Sequence, residues 1–266
     1  MISQHKYLLL LIGLSGGFAS AAVGIAGGTL IIPALIYVFG YHVRKAVGSS
    51  LAAMAPATLV GAVSHYFIQR NPIEFFTIIL ILAGSLIGTK YGVKVANKTE
   101  KGVLLQIFAV VLLLLGLELA HIITLSPYPL VALRMHPLLF VLGLFVGFLS
   151  GLSGVGGGAI LMPSLNLFFG FPAHQAIAIS LTVLAPTALS GALHYKKTNN
   201  LIPAGELTLL IAASVTGAVL GAATSNALPA TILQIIAGIF LILLAMKITW
   251  EQSRFFTSPR VLVQSP

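Results

Sequence analysis

The chain has 266 residues, 58% of them hydrophobic, with 14 Lys+Arg against 5 Asp+Glu and a formal charge of +9. Charged residues make up 7%, where a soluble domain has about 25%; too few polar groups exist to cover a globular surface, and disorder is excluded because it needs low hydrophobicity and high charge. Apolar runs of roughly 18 or more residues recur, the length a helix needs to cross about 30 Å of hydrocarbon, so an all-α polytopic membrane protein is expected.

The first segment, Lys6 followed by Leu8 to Leu14 and Phe18-Ala19-Ser20-Ala21, imitates a cleavable secretory signal. Gly17-Phe18-x-Ser20 returns, however, as Gly147-Phe148-x-Ser150 deep in the chain. A removed leader has no reason to be echoed there, so the segment reads as structure. A shift of 130 aligns residues 17–62 with 147–192 without a gap, with 18 identities in 46 positions. These include Gly24/Gly154, Gly27/Gly157, Gly28/Gly158, Pro33/Pro163, Ser50/Ser180 and Pro56/Pro186. At a shift of 129 the register continues through His65-Tyr66/His194-Tyr195, Ser85/Ser214, Gly88/Gly217 and Gly92/Gly221. Paired Gly, Pro and His in register signal an internal duplication.

Each copy begins with a long apolar stretch (7–39 and 136–170) broken by glycines. Three apolar segments follow, about 46–67, 73–96 and 102–123 in the first copy and 175–195, 204–225 and 229–249 in the second. One membrane domain is expected: repeat one over 7–125, a Pro-rich linker over 126–136, repeat two over 137–250 and a cytoplasmic tail over 251–266.

Loop charges choose between two topologies. If each first stretch crosses once, Lys and Arg divide eight against six; if each dips in and returns, they divide twelve against two, with only Arg70 and Arg134 on the minority side. The second division satisfies the positive-inside rule. The arm from Gly28 to Phe39, roughly 18 Å as helix, is also too short to span. Two inverted repeats are therefore expected, each a broken, re-entrant helical hairpin followed by three transmembrane helices, with both termini cytoplasmic. Such inverted repeats with discontinuous helices recur in secondary transporters, whose substrate sites lie at the breaks.

The breaks themselves suggest anion chemistry. Gly24, Gly27 and Gly28, then Gly154, Gly156, Gly157 and Gly158, leave backbone N–H groups accessible where a helix starts, and a helix N-terminus attracts negative charge. Pro33 and Pro163 are placed in the first turns of those helices, where a missing N–H costs little. Close packing through small residues is the competing reading of such glycines. Pro56 and Pro186 free carbonyls four residues back. Ser49, Ser50, Thr58, Ser180, Thr182 and Thr187 lie nearby as hydroxyl donors to a substrate or as repairs to the kinked backbone. His65, Tyr66, His194 and Tyr195 close their helices at opposite faces as interfacial anchors or a rim. Glu118, with His121 three residues on and Lys247 as its repeat equivalent, reads as an interfacial charge, and Lys90 as a snorkelling cation.

Two copies of Gly-Phe-x-Ser-x-x-x-Gly-x-(Ala/Gly)-Gly-Gly-x-hydrophobic-x-x-Pro resemble the TauE/SafE sulfite-exporter family over nearly the whole chain. The resemblance implies a bacterial or archaeal plasma-membrane transporter of small, often sulfur-containing anions such as sulfite or organosulfonates, binding at Gly24, Gly27, Gly28, Gly154, Gly156, Gly157 and Gly158, with Pro33 and Pro163 in the same motif. The first copy has Ala26 where the second has Gly156, a less permissive break. The expected partners are a small anion and membrane lipids, without cofactor, metal or nucleic acid. Two alternatives remain: a passive anion channel, and an intramembrane serine protease in which Ser153, within Gly151-Leu152-Ser153-Gly154, is the nucleophile and His194 the base.

Overall fold

The computed structural model describes residues 2–24, 27–69, 74–96, 102–122, 136–153 and 157–257. The first copy contributes α1 (Ile2–Val23), α2 (Gly28–Tyr37), α3 (Val43–Gln69), α4 (Phe75–Ala96) and α5 (Gly102–Leu119). The second contributes α6 (His136–Ser153), α7 (Gly158–Leu167), α8 (Ala173–Lys197), α9 (Ala204–Ala227) and α10 (Ala230–Thr257). No strand occurs among the described residues, and α1, α3, α4, α8, α9 and α10 are each long and apolar enough to cross a membrane. Helix α10 continues to Thr257, seven residues into the stretch expected to be a tail, and most of the expected linker, 126–135, lies outside the described residues.

The broken stretches form arms of unequal length. Helix α1 has 22 residues and α2 only 10, and α7 repeats that length with 10, roughly 15 Å at 1.5 Å per residue. Both short helices stop the same way. Gly40 and Gly170 adopt positive φ (68° and 67°), and the next N–H bonds back six residues, Tyr41 N to Leu35 O at 3.0 Å and Phe171 N to Leu165 O at 3.1 Å. Each helix is thus closed by a left-handed residue, a position that favours glycine because a side chain is strained in this conformation.

The two copies interlock. Helix α1 lies along α9 and α6 along α4, while α3 meets α8 and α5 meets α10. Small residues set the direction of each contact. A methyl placed on Gly17 would lie 1.9 Å from the Ser214 carbonyl oxygen, and one on Gly221 would lie 2.3 Å from that of Phe18. Numbers rise together, so α1 and α9 run parallel. Gly143, Gly147 and Gly151 meet Ile81, Ser85 and Thr89 in the same manner, making α6 and α4 parallel too. The equivalent helices run opposite ways: Gly61 faces Leu181 whereas Gly191 faces Leu51, so α3 and α8 are antiparallel. Without side chains at these positions the backbones come close enough for dense packing, the dominant attraction between helices in lipid.

A polar contact ties the first hairpin to the other copy. The hydroxyl of Tyr41, between α2 and α3, donates to Oε2 of Glu206 in the first turn of α9 at 2.5 Å. Burial of the phenol, with the carboxylate beside it, pushes its pKa from 10.0 to about 12. The folded state thus keeps a proton that the unfolded chain releases above about pH 10. The stability this contact contributes is present below that pH and declines as pH rises toward about 12. Tyr41→Phe is expected to lower unfolding stability at neutral pH by about 1–2 kcal/mol and to flatten the alkaline decline. Thermal unfolding in detergent across that pH range measures both effects.

Candidate functional site

Helix α1 ends at Val23, and Gly24 turns the chain with φ of 71°. The last carbonyls of a helix lack intrahelical donors, and here donors from three directions meet them. Gly24 N bonds Ser20 O at 2.9 Å. The ring of His65 on α3 bonds Ala21 O through Nε2 at 2.8 Å, and Ser180 Oγ on α8 donates to Gly24 O at 3.3 Å. The broken end of α1 is therefore held by side chains from both copies. Ile25 and Ala26 lie outside the described residues, and α2 then opens on Gly27, which has no side-chain cap and whose carbonyl accepts from Leu30 N and Ile31 N.

Helix α7 opens alike, with Gly157 accepting from Ile160 N and Leu161 N. Gly154 and Gly156 lie outside the described residues, and Gly158 is buried at the first position of α7. Both short helices begin at matching depth. Gly27 rests on Gly16 O, beside Gly17, which meets Ser214, the middle of the 24-residue α9. Gly157 rests on Val146, beside Gly147, which meets Ser85, the middle of the 22-residue α4. Two helix N-termini, with their unpaired donors and partial positive charge, thus lie level with the middles of α9 and α4, across α1 and α6.

The nearby hydroxyls divide into engaged and free. Thr58 Oγ1 donates to Met54 O at 2.8 Å, Thr182 Oγ1 to Ala178 O at 2.8 Å and Thr187 Oγ1 to Val183 O at 2.7 Å, so these threonines bond their own helices around the prolines. Ser49 Oγ accepts Ile202 N at 2.9 Å, and Ser85 Oγ pairs with Thr187 at 2.7 Å. Ser20 and Ser50 are both 0% exposed, and their Oγ atoms have no hydrogen-bond partner among the described residues. Of the hydroxyls singled out from sequence, Ser50 is without a partner among the described residues, whereas Ser180 and Thr182 are bonded to backbone carbonyls.

Two expectations need correction. His65 is 0% exposed and Tyr195 3%, so neither forms a rim; each is enclosed by neighbouring helices, and Tyr66 and His194 are half-buried. Pro33 and Pro163 are the sixth residues of α2 and α7, beyond the first turn, because these helices begin at Gly28 and Gly158. A methyl on Gly27 would lie 1.9 Å from Gly16 O and one on Gly157 would lie 2.0 Å from Val146 Cγ1, so both glycines serve packing as well as the break. The side chain of Ser153 lies outside the described residues.

Sequence reading overlooked Gly13/Gly17, Gly84/Gly88, Gly143/Gly147/Gly151 and Gly217/Gly221, which form the interlocking contacts. Their four-residue spacing, a small-xxx-small pattern, was the available signal.

Residues 2–119 and 139–265 match the model of the sulfite exporter TauE/SafE family. The chain belongs to the TauE/SafE family. A "Probable membrane transporter protein" of Methanocaldococcus jannaschii is 30% identical over 201 residues, covering 72% of this chain and 73% of its own. Two Bacillus subtilis proteins named "Probable membrane transporter protein", YunE and YdhB, are 23% and 26% identical, each over 71% of this chain and over 77% and 76% of their own. Family and apolar helices together make this TauE/SafE chain a multi-pass membrane protein of a transporter family, and the relatives' names fit a protein that is not an enzyme.

Proposed function

We propose that this TauE/SafE protein is a secondary transporter that moves a small, sulfur-containing anion of the sulfite or organosulfonate type across the plasma membrane by alternating access. The observation that carries this reading is the pair of short helices, α2 and α7, opening on glycines level with the middles of α9 and α4. The two copies would be inverted across the bilayer with both termini cytoplasmic. The antiparallel packing of α3 against α8 and the loop charges support that arrangement. N–H groups at Gly27 and Gly28, and at Gly154, Gly156, Gly157 and Gly158, would hold the anion together with Ser50 Oγ, whereas the Gly24 N–H is engaged by Ser20 O. A preformed site of neutral donors selects an anion without placing a fixed cation in the membrane.

Purified protein in liposomes tests this with sulfite, sulfate, thiosulfate and sulfoacetate. Saturable uptake with counterflow of at least one is expected; unsaturable conductance would establish a pore, and no flux would remove the reading. Ser50→Ala is expected to raise KM by about tenfold to a hundredfold, the worth of one hydrogen bond to a charged ligand, with protein yield unchanged. An unaltered KM takes Ser50 out of the site.

A further inference from the structure

We infer that His65 is a proton-binding site of this carrier, linked to movement of the first hairpin; the inference rests on the transporter reading and supplies its coupling ion. A carbonyl oxygen only accepts, so the 2.8 Å contact with Ala21 O requires the hydrogen on Nε2 and leaves Nδ1 with a bare lone pair. The side chain is 0% exposed, and Nδ1 has no hydrogen-bond partner among the described residues. The ring therefore joins the broken end of α1 to α3 by one nitrogen and holds an unused basic atom on the other.

The surroundings make His65 the titratable group at this break. Helix α1 has no ionisable side chain from Leu8 to its end at Val23. On α3 itself the neighbour is Tyr66, which meets Thr182 of α8. From α8, His174 is near enough to act on His65 electrostatically; its own Nδ1 is also buried without a partner, and its ring hydrogen-bonds the Leu228 backbone.

A proton taken up at Nδ1 turns that atom into a donor with a positive charge, and no acceptor stands there in this conformation. A buried donor without a partner is unfavourable, so the charged ring is satisfied only when water or an anion comes against it. Movement of the hairpin that exposes Nδ1 while Nε2–H keeps Ala21 O, a bond the charged ring strengthens, provides that access. Proton uptake, exposure of Nδ1 and entry of an anion from this face are thereby one linked event, and closing the hairpin again requires the proton to leave or the anion to remain beside it.

His65→Gln tests the assignment, because the glutamine amide retains an N–H donor for Ala21 O and cannot take a proton. Histidine-labelled wild-type protein in lipid nanodiscs is titrated by nitrogen NMR from about pH 8 to about pH 5, the range over which imidazole titrates. The signal missing in His65→Gln is expected to move from the Nε2–H tautomer to imidazolium; a signal that stays neutral throughout overturns the proposal. In liposomes loaded with radiolabelled sulfite or sulfoacetate, wild type is expected to accumulate anion roughly tenfold per pH unit of imposed gradient. His65→Gln is expected to keep counterflow within about threefold and lose the gradient response, while His194→Gln keeps both. Gradient-driven accumulation by His65→Gln overturns the proposal as well. Absence of counterflow in wild type would defeat the carrier reading instead, and the titration would still decide whether His65 binds a proton.

Discussion

Gly17→Val is expected to yield no stably folded protein, and Gly147→Val to behave the same way. These are the two points where α1 and α6 touch the helices of the other copy most closely. The first atom of a side chain would lie 1.9 Å from Ser214 O in one case and 2.0 Å from Ser85 O in the other. The opposing atoms are backbone carbonyls in the middle of α9 and α4, so no rotamer change relieves the overlap and the helices must separate. Overpacking against movable side chains costs about 1–3 kcal/mol; against rigid backbone the expected loss exceeds about 3 kcal/mol. Close approach is also what holds such helices together in lipid, where hydrophobicity does not favour one apolar neighbour over another. Size-exclusion profiles and melting curves in detergent check this. Gly205→Val is the control, since nothing lies within 4 Å of a methyl there; a Gly17→Val melting curve equal to that of Gly205→Val would contradict the packing account.

Gly24→Val is expected to remove transport while most of the chain still folds. At φ of 71° any L side chain is disfavoured, by roughly 1–2 kcal/mol per residue, and a β-branched one by more. The added methyl would also lie 3.1 Å from Ile177 Cγ1, pressing the turn away from α8 and from Ser180. Both effects fall on the end of α1, leaving the glycine contacts with α9 in place. Asn tolerates the left-handed conformation better than other side chains, so Gly24→Asn should retain a measurable share of uptake where Gly24→Val falls more than about a hundredfold. Equal activities would show that the turn conformation at Gly24 does not matter to the carrier.

Much of the architecture is legible in the sequence. Composition places the chain in a membrane, and the doubled glycine motif marks the two interruptions at 24–28 and 154–158. The run from Gly28 to Phe39 is too short to span, as the 10-residue α2 agrees. The site is less legible, and His65 shows why. At the end of an apolar segment, next to a tyrosine, it has the sequence context of an interfacial anchor, yet it caps the α1 carbonyl of Ala21 from inside the fold. Ser50 and Ser180 are equivalent in the repeat, but only Ser180 bonds the Gly24 carbonyl. What a serine bonds depends on the atom the fold sets opposite it, which its letter does not carry.

Sequence by itself determined that this chain is helical, apolar, duplicated and broken at matching glycines, because hydropathy and backbone freedom are properties of a segment regardless of its neighbours. Tertiary structure decided which glycines break helices and which allow two helices to touch. A residue without a side chain relaxes the backbone in both cases, and only the atom standing opposite distinguishes them. For Gly24 it is a side chain beside a turn of positive φ, and for Gly17 and Gly147 a carbonyl of the other copy.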